Sequence, residues 1–319
     1  MTDARDEVGV DRVDVETGTG AGAEAGARAT EADVDAERRH LMRVAYRLLG
    51  TVADAEDAVQ EAFARWYRLD PLERAAILVP GAWLTRVTGR ICLDQLGSAR
   101  ARREHNVGEW LPEPVPAESD LATIDPLERA AITEDVGLAL LVVLEAMTPA
   151  ERVAFVLHDV FALPFAEIAE IVGRSSAACR QLATAARRRV RADRAARAPR
   201  ERHNDLARAF AEACATGDLT ALVSVLDPSV TLRSDGGGRV SAARRPVVGA
   251  DAVARFVLGV LRKNPDVRIE PRATGDGTGF AWQRDGRTAG VLMLRTTAEN
   301  VTDVWIQMNP AKLRSWDAR

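Results

Sequence analysis

Residues 164–191 read PFAEIAEIVGRSSAACRQLATAARRRVR. Phe165, Ile168, Ala169 and Val172 recur at three-and-four spacing, which puts them on one face of an amphipathic helix. Gly173 closes that helix, because glycine takes the left-handed backbone of a C-terminal cap without steric cost. Ser175 or Ser176 then offers a hydroxyl to cap a second helix that runs through Leu182 and Val190. Two helices joined by a glycine turn, the second one basic, make a helix-turn-helix. In that motif the second helix enters the DNA major groove with its first turns against base edges. Arg180, Gln181 and Thr184 share a face of those turns, with Arg187 and Arg188 behind them and Arg174 and Ser176 at the turn. Arginine can bond guanine bidentately and glutamine adenine, so this face carries readout chemistry.

The charge distribution around the motif points the same way. Ten arginines stand against Asp193 and Glu201 between Arg174 and Arg202, although the whole chain is formally at −4. Such a run suits phosphates; a solvated helix face is the other reading of a charge run taken alone. The acid sits at the other end, where the first 37 residues hold eleven carboxylates against three arginines. Residues 1–36 are rich in Gly, Ala, Glu and Asp without apolar periodicity, so a disordered acidic tail is expected there.

At 319 residues, 47% hydrophobic and 28% charged, the chain has material for two or three packed units. The longest apolar run, Gly137 to Met147, is shorter than a bilayer span and carries Glu145. The N-terminus lacks a basic start followed by an apolar stretch, so no secretory signal, no membrane contact and a cytoplasmic protein are expected. Cys92, Cys179 and Cys214 are odd in number and far apart, which fits a reducing compartment and predicts neither a disulfide framework nor a metal site.

Outward from the motif, residues 126–198 form its helical unit, with breaks at Met147-Thr148-Pro149, Leu163-Pro164 and Gly173. Residues 37–105 are a second all-helical unit, broken at Gly50, Asp70-Pro71 and Pro80-Gly81. Between them, 106–125 holds Pro112, Pro114 and Pro116 and reads as an extended Pro-rich linker. After Pro199 the texture changes. Helical patches at His203–Thr216 and Gly249–Lys263 accompany strand-like runs at Val230–Arg233, Val267–Ala273, Phe280–Arg284, Thr288–Thr296 and Val301–Met308. Asp285-Gly286 marks a hairpin turn. Residues 202–319 therefore predict an α+β domain with helices on one face of a curved sheet.

In the first unit, Ala55, Val59, Ala62, Phe63 and Trp66 fall on one helical face while Asp54, Asp57, Gln60 and Glu61 gather on the other. Acids near a helix N-terminus also favour the helix itself, so a plain surface helix is the alternative. The wording of Asp54–Trp66, however, resembles the helix by which extracytoplasmic-function sigma factors grip RNA polymerase. Trp83-Leu84-Thr85-Arg86-Val87, Arg90-Ile91-Cys92-Leu93-Asp94 and Arg100-Ala101-Arg102-Arg103 resemble the promoter-melting region of the same domain. Thr148-Pro149-Ala150-Glu151-Arg152 and Phe165-Ala166-Glu167-Ile168-Ala169 are similar to the second sigma domain, which reads the −35 element.

The resemblance implies core RNA polymerase and promoter DNA as partners. It assigns Asp54, Asp57, Gln60 and Glu61 to polymerase, and Trp83, Arg86, Arg90, Arg100 and Arg103 to the −10 element. The loop between Leu69 and Pro80 would hold an extruded −10 base. Arg174, Ser176, Arg180, Gln181, Thr184, Arg187 and Arg188 fall to the −35 element. Many relatives carry a basic residue at the position of Ala185, a departure that bears on base-by-base contacts.

Trp110-Leu111-Pro112-Glu113-Pro114, Asp235-Gly236-Gly237-Gly238-Arg239 and Asn309-Pro310-Ala311-Lys312-Leu313 resemble marks of the sigma-J type, which carries a C-terminal SnoaL-like domain, an NTF2-like cone. The family forms have lysine at Arg239 and aspartate at Ala311, so the second swap removes a carboxylate. Trp110 has no core of its own in the linker, so it is expected to dock on the third domain near Asp235–Arg239 and set the spacing of the two DNA-reading domains. The resemblance covers roughly 38–319 and implies control in cis with no dedicated anti-sigma factor.

The rival readings are a helix-turn-helix regulator with a ligand-binding or cyclase- or isomerase-like SnoaL domain, and an ordinary dimeric regulator. Catalysis needs a positioned acid–base group, and no histidine follows His203; no catalytic residue and no cofactor are expected. Trp282, Met293, Trp305 and Met308 could line a pocket for a small-molecule ligand of the C-terminal domain, or be plain core.

Overall fold

The structure, a computed structural model, describes residues 31–103, 109–122 and 137–317. The first helix, α1, spans Glu31–Leu49. It starts inside the expected tail, of which 1–30 lie outside the described residues. Extending a helix already nucleated at its packed end costs little. Gly50 closes α1 at a φ of +79°. In α2 (Val52–Arg68), Thr51 caps the first turn by accepting from the Asp54 N–H, and Ala55, Ala58, Val59, Ala62 and Phe63 are buried. Asp70 and Glu73 form a capping box on the short α3 (Pro71–Ala76), and Pro80 opens α4 (Pro80–Arg103).

The helix-turn-helix unit contains α5 (Leu138–Glu145), α6 (Pro149–Phe155), a π-helical turn at Val156–Val160, α7 (Phe165–Val172) and α8 (Ser176–Ala196). Gly173 takes the left-handed conformation at the turn, and Ser175 rather than Ser176 caps α8, accepting from the Ala178 N–H at 3.2 Å. The two helical units share one core. Leu48, Phe63 and Ile91 from the first join Leu157, Ile168 and Cys179 from the second in a continuous apolar cluster. The three cysteines are buried and reduced. Among the described residues no helix is long and apolar enough to cross a membrane.

The third unit runs through α9 (Arg200–Thr216), α10 (Leu219–Val225), β1 (Leu226–Asp235), β2 (Val247–Val248), α11 (Ala250–Lys263), β3 (Arg268–Thr274), β4 (Gly277–Arg284), β5 (Arg287–Thr296), β6 (Val301–Gln307) and α12 (Arg314–Asp317). The strand order is β2-β1-β6-β5-β4-β3, with β1 and β6 parallel and the other neighbours antiparallel. Asp285 and Gly286, both at positive φ, turn the β4–β5 hairpin.

Strand alternation gives this sheet two apolar faces. Trp282, Leu292, Leu294, Ile306 and Met308 pack against α9, α10 and α11. Ala281, Val291, Met293 and Trp305 form a different cluster with Leu111, Leu138, Ala139, Leu313 and Trp316. Of the two readings of these four residues, plain core holds and a common pocket does not, because Trp282 and Met308 lie on one side of the sheet and Met293 and Trp305 on the other. On the helix side, the space bounded by Phe210, Cys214 and Trp282 is about 10 Å³, room for no more than a water.

The second face is covered by the segment between the helical units. Residues 109–116 are extended, as the prolines require, yet Leu111 to Val115 are buried. Glu113 N–H donates to Gly50 C=O at 2.8 Å and Tyr46 Oη to Glu113 C=O at 2.6 Å. From the other side Trp316 Nε1 donates to Pro114 C=O at 2.8 Å. The linker is thus a strap bonded on both sides, to the first unit and to the third.

Candidate nucleic-acid interface and interdomain contacts

On α8, Arg180, Gln181, Thr184 and Arg188 are exposed, and Arg174 is exposed at the turn with Ser176 half-buried behind it. The burial of Cys179, Ala183 and Ala186 on the opposite face fixes this orientation. The Thr184 hydroxyl donates to Arg180 C=O at 2.8 Å, and the Arg180 guanidinium lies 5.7 Å from the Phe165 ring centre. The readout chemistry therefore faces outward from a rigid helix. Arg187 departs from expectation: its Nε bonds Asp159 Oδ1 at 2.5 Å and its side chain is half-buried. One position beyond Ala186, it falls at the edge of the buried stripe and neutralises an interior carboxylate instead of offering its charge to phosphate.

The face of α4 expected to line the opening duplex is packed against α7. Arg90 Nη1 donates to Ile171 C=O at 2.7 Å, and Arg86 lies 3.6 Å from Glu170. Gly89 allows this approach, since a Cβ there would stand 3.1 Å from the Leu157 side chain. Trp83 is half-buried, its ring 5.4 Å from that of Trp66. Arg100 and Arg103 belong to the last turns of α4, with side chains outside the described residues. Between α2 and α4, Leu72 of α3 and Leu78 and Val79 of the loop after it are well exposed, Leu78 at 94%. That is an unusual cost to carry in water.

Along α2, Asp54, Asp57 and Gln60 are exposed and Glu61 is partly so. Thr51 Oγ1 donates to Asp54 Oδ2 at 2.5 Å, so Asp54 also serves the helix start. Glu61 pairs with Arg65 at 2.9 Å and Arg68 at 3.8 Å. The Arg65 hydrogen bond holds its carboxyl below the usual range.

The residues singled out between domains converge on one buried knot. Lys312 Nζ bonds Asp235 Oδ2 at 2.7 Å and Leu111 C=O at 2.5 Å, while Leu111 N–H donates to the same Asp235 oxygen at 3.1 Å. Gly237 N–H donates to Asp235 Oδ1 at 2.8 Å. Gly237 and Gly238 are at φ +60° and +68°, and a Cβ on Gly237 would collide with Asn309. Asn309 in turn accepts from Ala311 N–H and starts the turn Pro310–Lys312. Lys312 Nζ sits 4.2 Å from the Trp110 ring centre, Pro112 is buried within the strap, and Arg239 and Ala311 are exposed. Trp110 and Asp235–Arg239 line a common cleft. Glu113 and Gln307 escaped the sequence reading. Glu113 accepts from Val52 N–H at 2.8 Å, and Gln307 reaches Leu111 and Pro112 C=O at 3.5 and 3.4 Å; only the location of Glu113 within the Trp110 motif could have flagged it.

His203 is buried with both ring nitrogens engaged, Nδ1 3.0 Å from Thr296 Oγ1 and Nε2 3.1 Å from Thr278 C=O. A carbonyl must be met by an N–H, so Nε2 carries a proton, and in the neutral ring the Thr296 hydroxyl donates to Nδ1. Burial pushes its pKa down, against the opposing pull of the Thr278 carbonyl and Asp276. An unfolded histidine takes its proton near 6.5. Below that pH the unfolded chain binds the extra proton first, so stability present at pH 7 is lost as pH falls toward the folded value. The denaturation midpoint of the third unit should drop between pH 7 and 5.5, with a shallower slope in His203→Gln. Equal slopes in the two proteins would remove His203 as the cause.

Comparison with known proteins agrees with this layout. A Sigma-70 region 2 model matches residues 34–102, a Sigma-70 region 4 model residues 137–190 and a SnoaL-like domain model residues 207–305. The chain is 49% identical over 234 residues to ECF RNA polymerase sigma factor SigJ of Mycobacterium tuberculosis, covering 73% of each. It is 37% identical over 282 residues to a probable ECF RNA polymerase sigma factor, SigI, of the same species, covering 87% of this chain and 92% of that one. The crystal structure of M. tuberculosis SigJ superposes with a TM-score of 0.67 at 39% identity, over 89% of this chain and 98% of that chain.

Proposed function

The chain belongs to the extracytoplasmic-function sigma factors of RNA polymerase, and from that premise we propose how its own residues divide promoter recognition and its control. As a member it works with core RNA polymerase, recognises promoter DNA and starts transcription. In our reading residues 37–105 bind polymerase and the −10 element, 126–198 read the −35 element, and 202–319 regulate both. Arg180, Gln181 and Thr184 read bases, with Arg174, Ser176 and Arg188 on the backbone. Asp54, Asp57, Gln60 and Glu61 meet polymerase. Trp83, Arg86, Arg90, Arg100 and Arg103 handle the melting duplex, and the exposed Leu72 and Leu78 flank the extruded base.

The observation that carries this reading is a division of charge within one chain. The outward face of α8 offers arginine and glutamine, while the outward face of α2 offers Asp57 and Gln60 beside Glu56. An acidic face is repelled by DNA and suits a basic protein partner, so the chain needs two macromolecules at once. Control is in cis: the third unit, through the strap and the knot of Asp235 and Lys312, holds the two helical units together, with no dedicated anti-sigma factor. The third unit performs no chemistry, since its histidine is locked and its interior is filled. The site of action is the cytoplasm, where polymerase is.

The deciding experiment measures promoter-duplex binding by the purified chain with and without core polymerase, at fixed salt because phosphate contacts are salt-sensitive. Weak binding alone and tight, sequence-dependent binding with core is the expected result. Equally tight binding without core would favour a self-sufficient helix-turn-helix regulator and overturn the reading.

A further inference from the structure

Helix α5, which opens the helix-turn-helix unit, lacks a cap of its own, because Gly137 at its N-cap has no side chain to accept from the first turn. A helix start left this way exposes unpaired N–H groups. Here the missing acceptor comes from the third unit, 137 residues later: Ala139 N–H donates to Asp276 Oδ2 at 3.0 Å. Asp276 sits on the β3–β4 turn with its side chain only 8% exposed, and its other oxygen accepts from Arg197 at 3.3 Å. Arg197, just past α8, also pairs with Asp193 at 2.5 Å, and Asp193 with Arg295 of β5 at 2.5 Å. An alternating chain of charge thus runs from the start of α5 across the end of α8 to the sheet. Beneath it Leu138 and Ala139 are buried with Met293 and Trp305.

Gly137 is required by the closeness of this contact. Its backbone, at φ −91° and ψ 167°, is one any residue adopts, yet a Cβ there would fall 2.0 Å from Asp276 Oδ1. The glycine is therefore explained by the carboxylate opposite it and not by its own conformation.

We propose that Asp276 is an interdomain latch: it completes the N-terminus of α5 only while the third unit is docked, so docking and the folding of α5's first turn are one event. Undocking removes the cap and the apolar cover of Leu138 and Ala139 together, and the first turn of α5 unravels. Helix α5 thereby exists in two forms, one ordered from Leu138 and one frayed, selected by the third unit.

The test is amide hydrogen exchange on the full chain. Asp276→Ala removes the cap; Gly137→Ala leaves the carboxylate but pushes it away. Each should speed exchange at Ala139–Leu141 roughly tenfold, the usual consequence of losing an N-cap, with exchange in the buried strands β5 and β6 unchanged. The double variant should exchange no faster than Asp276→Ala alone, because the methyl then meets nothing. Asp276→Asn, which keeps an acceptor oxygen, should fall between wild type and alanine. Unchanged exchange in Gly137→Ala, or a double variant whose effects add, would overturn the latch, whereas faster exchange throughout β5 and β6 would mean general unfolding and also count against it. This outcome is independent of transcription. If exchange behaves as stated but promoter activity with core polymerase does not change, the latch stands and control in cis falls.

Discussion

Lys312→Met is expected to destabilise the protein by about 3–5 kcal/mol, the cost typical of stripping one partner from a buried ion pair. Lys312 is 6% exposed and Asp235 2%. The ammonium is the only counter-charge bonded to that carboxylate among the described residues, and methionine fills its volume while leaving an ionised oxygen with N–H partners alone. The same change takes the donor from Leu111 C=O, which retains a bond of 3.5 Å from Gln307. Because Leu111 belongs to the strap, the loss should be cooperative: strap and third unit should loosen together, seen as a lower denaturant midpoint and faster exchange at Leu111–Val115. Adding Asp235→Asn should restore part of the loss, since an amide needs no counter-ion and its one oxygen can still accept from either Leu111 or Gly237, while its NH2 can donate to the Leu111 C=O that Lys312 left. If Lys312→Met shifts the midpoint by less than about 1 kcal/mol, the pair behaves as a solvated one and the knot does not hold the strap.

How much of this was legible in the sequence depends on the range of each interaction. Gly173, Ser175 and the spacing of Phe165, Ile168 and Val172 act within a few residues, so the helix-turn-helix could be read directly. Asp285-Gly286 likewise fixed its hairpin. α10 was missed because Leu219–Val225 is seven residues rich in leucine and valine, and periodicity cannot separate such a run from a strand. The parallel pairing of β1 with β6 joins segments some seventy residues apart and leaves no local mark. The strand-like runs of β4, β5 and β6 were legible, with helices on one face of their sheet, but not that the second face is covered from another part of the chain. Hence Met293 and Trp305, which the sequence leaves open as pocket lining or core, are core under the strap. The pairing of Arg187 was hidden for the same reason: its helical face was legible, its partner Asp159 was not.

The packing of α4 on α7 bears on how the chain is used. Arg90 spends one guanidinium N–H on Ile171 C=O, and Arg86 is held beside Glu170. These contacts are half-exposed, so each is worth little alone; the apolar interface of Leu157, Gly89 and Ile171 beneath them supplies most of the hold. Promoter melting in our reading has the two helical units part, and the third unit resists this by holding the first through the strap at Gly50 and α5 of the second through Asp276.

Parting the units has to be driven by something that binds the open form better, and in our reading that is core polymerase, whose proposed contact, the acidic face of α2, is exposed. Asp57 is the cleanest probe of it. It is exposed and makes no hydrogen bond or ion pair among the described residues, whereas Asp54 also bonds Thr51 and Glu61 pairs with Arg65 and Arg68. Asp57→Lys should leave helix content and thermal stability unchanged, because lysine suits an exposed helix position at least as well as aspartate. At an interface with a basic surface, the reversal replaces an attraction with a like-charge contact. Roughly 2–4 kcal/mol of affinity should go, a loss of about thirty- to a thousandfold in core binding, with a parallel fall in promoter-dependent transcription. The defect should deepen as salt is lowered, since screening weakens repulsion as well as attraction. Glu61→Lys would confound the result, because it sets a cation beside Arg65 on the same helix and weakens α2 itself. If Asp57→Lys binds core with wild-type affinity, the acidic face of α2 is not the polymerase contact and the partner that opens the closed form must be sought elsewhere on the chain.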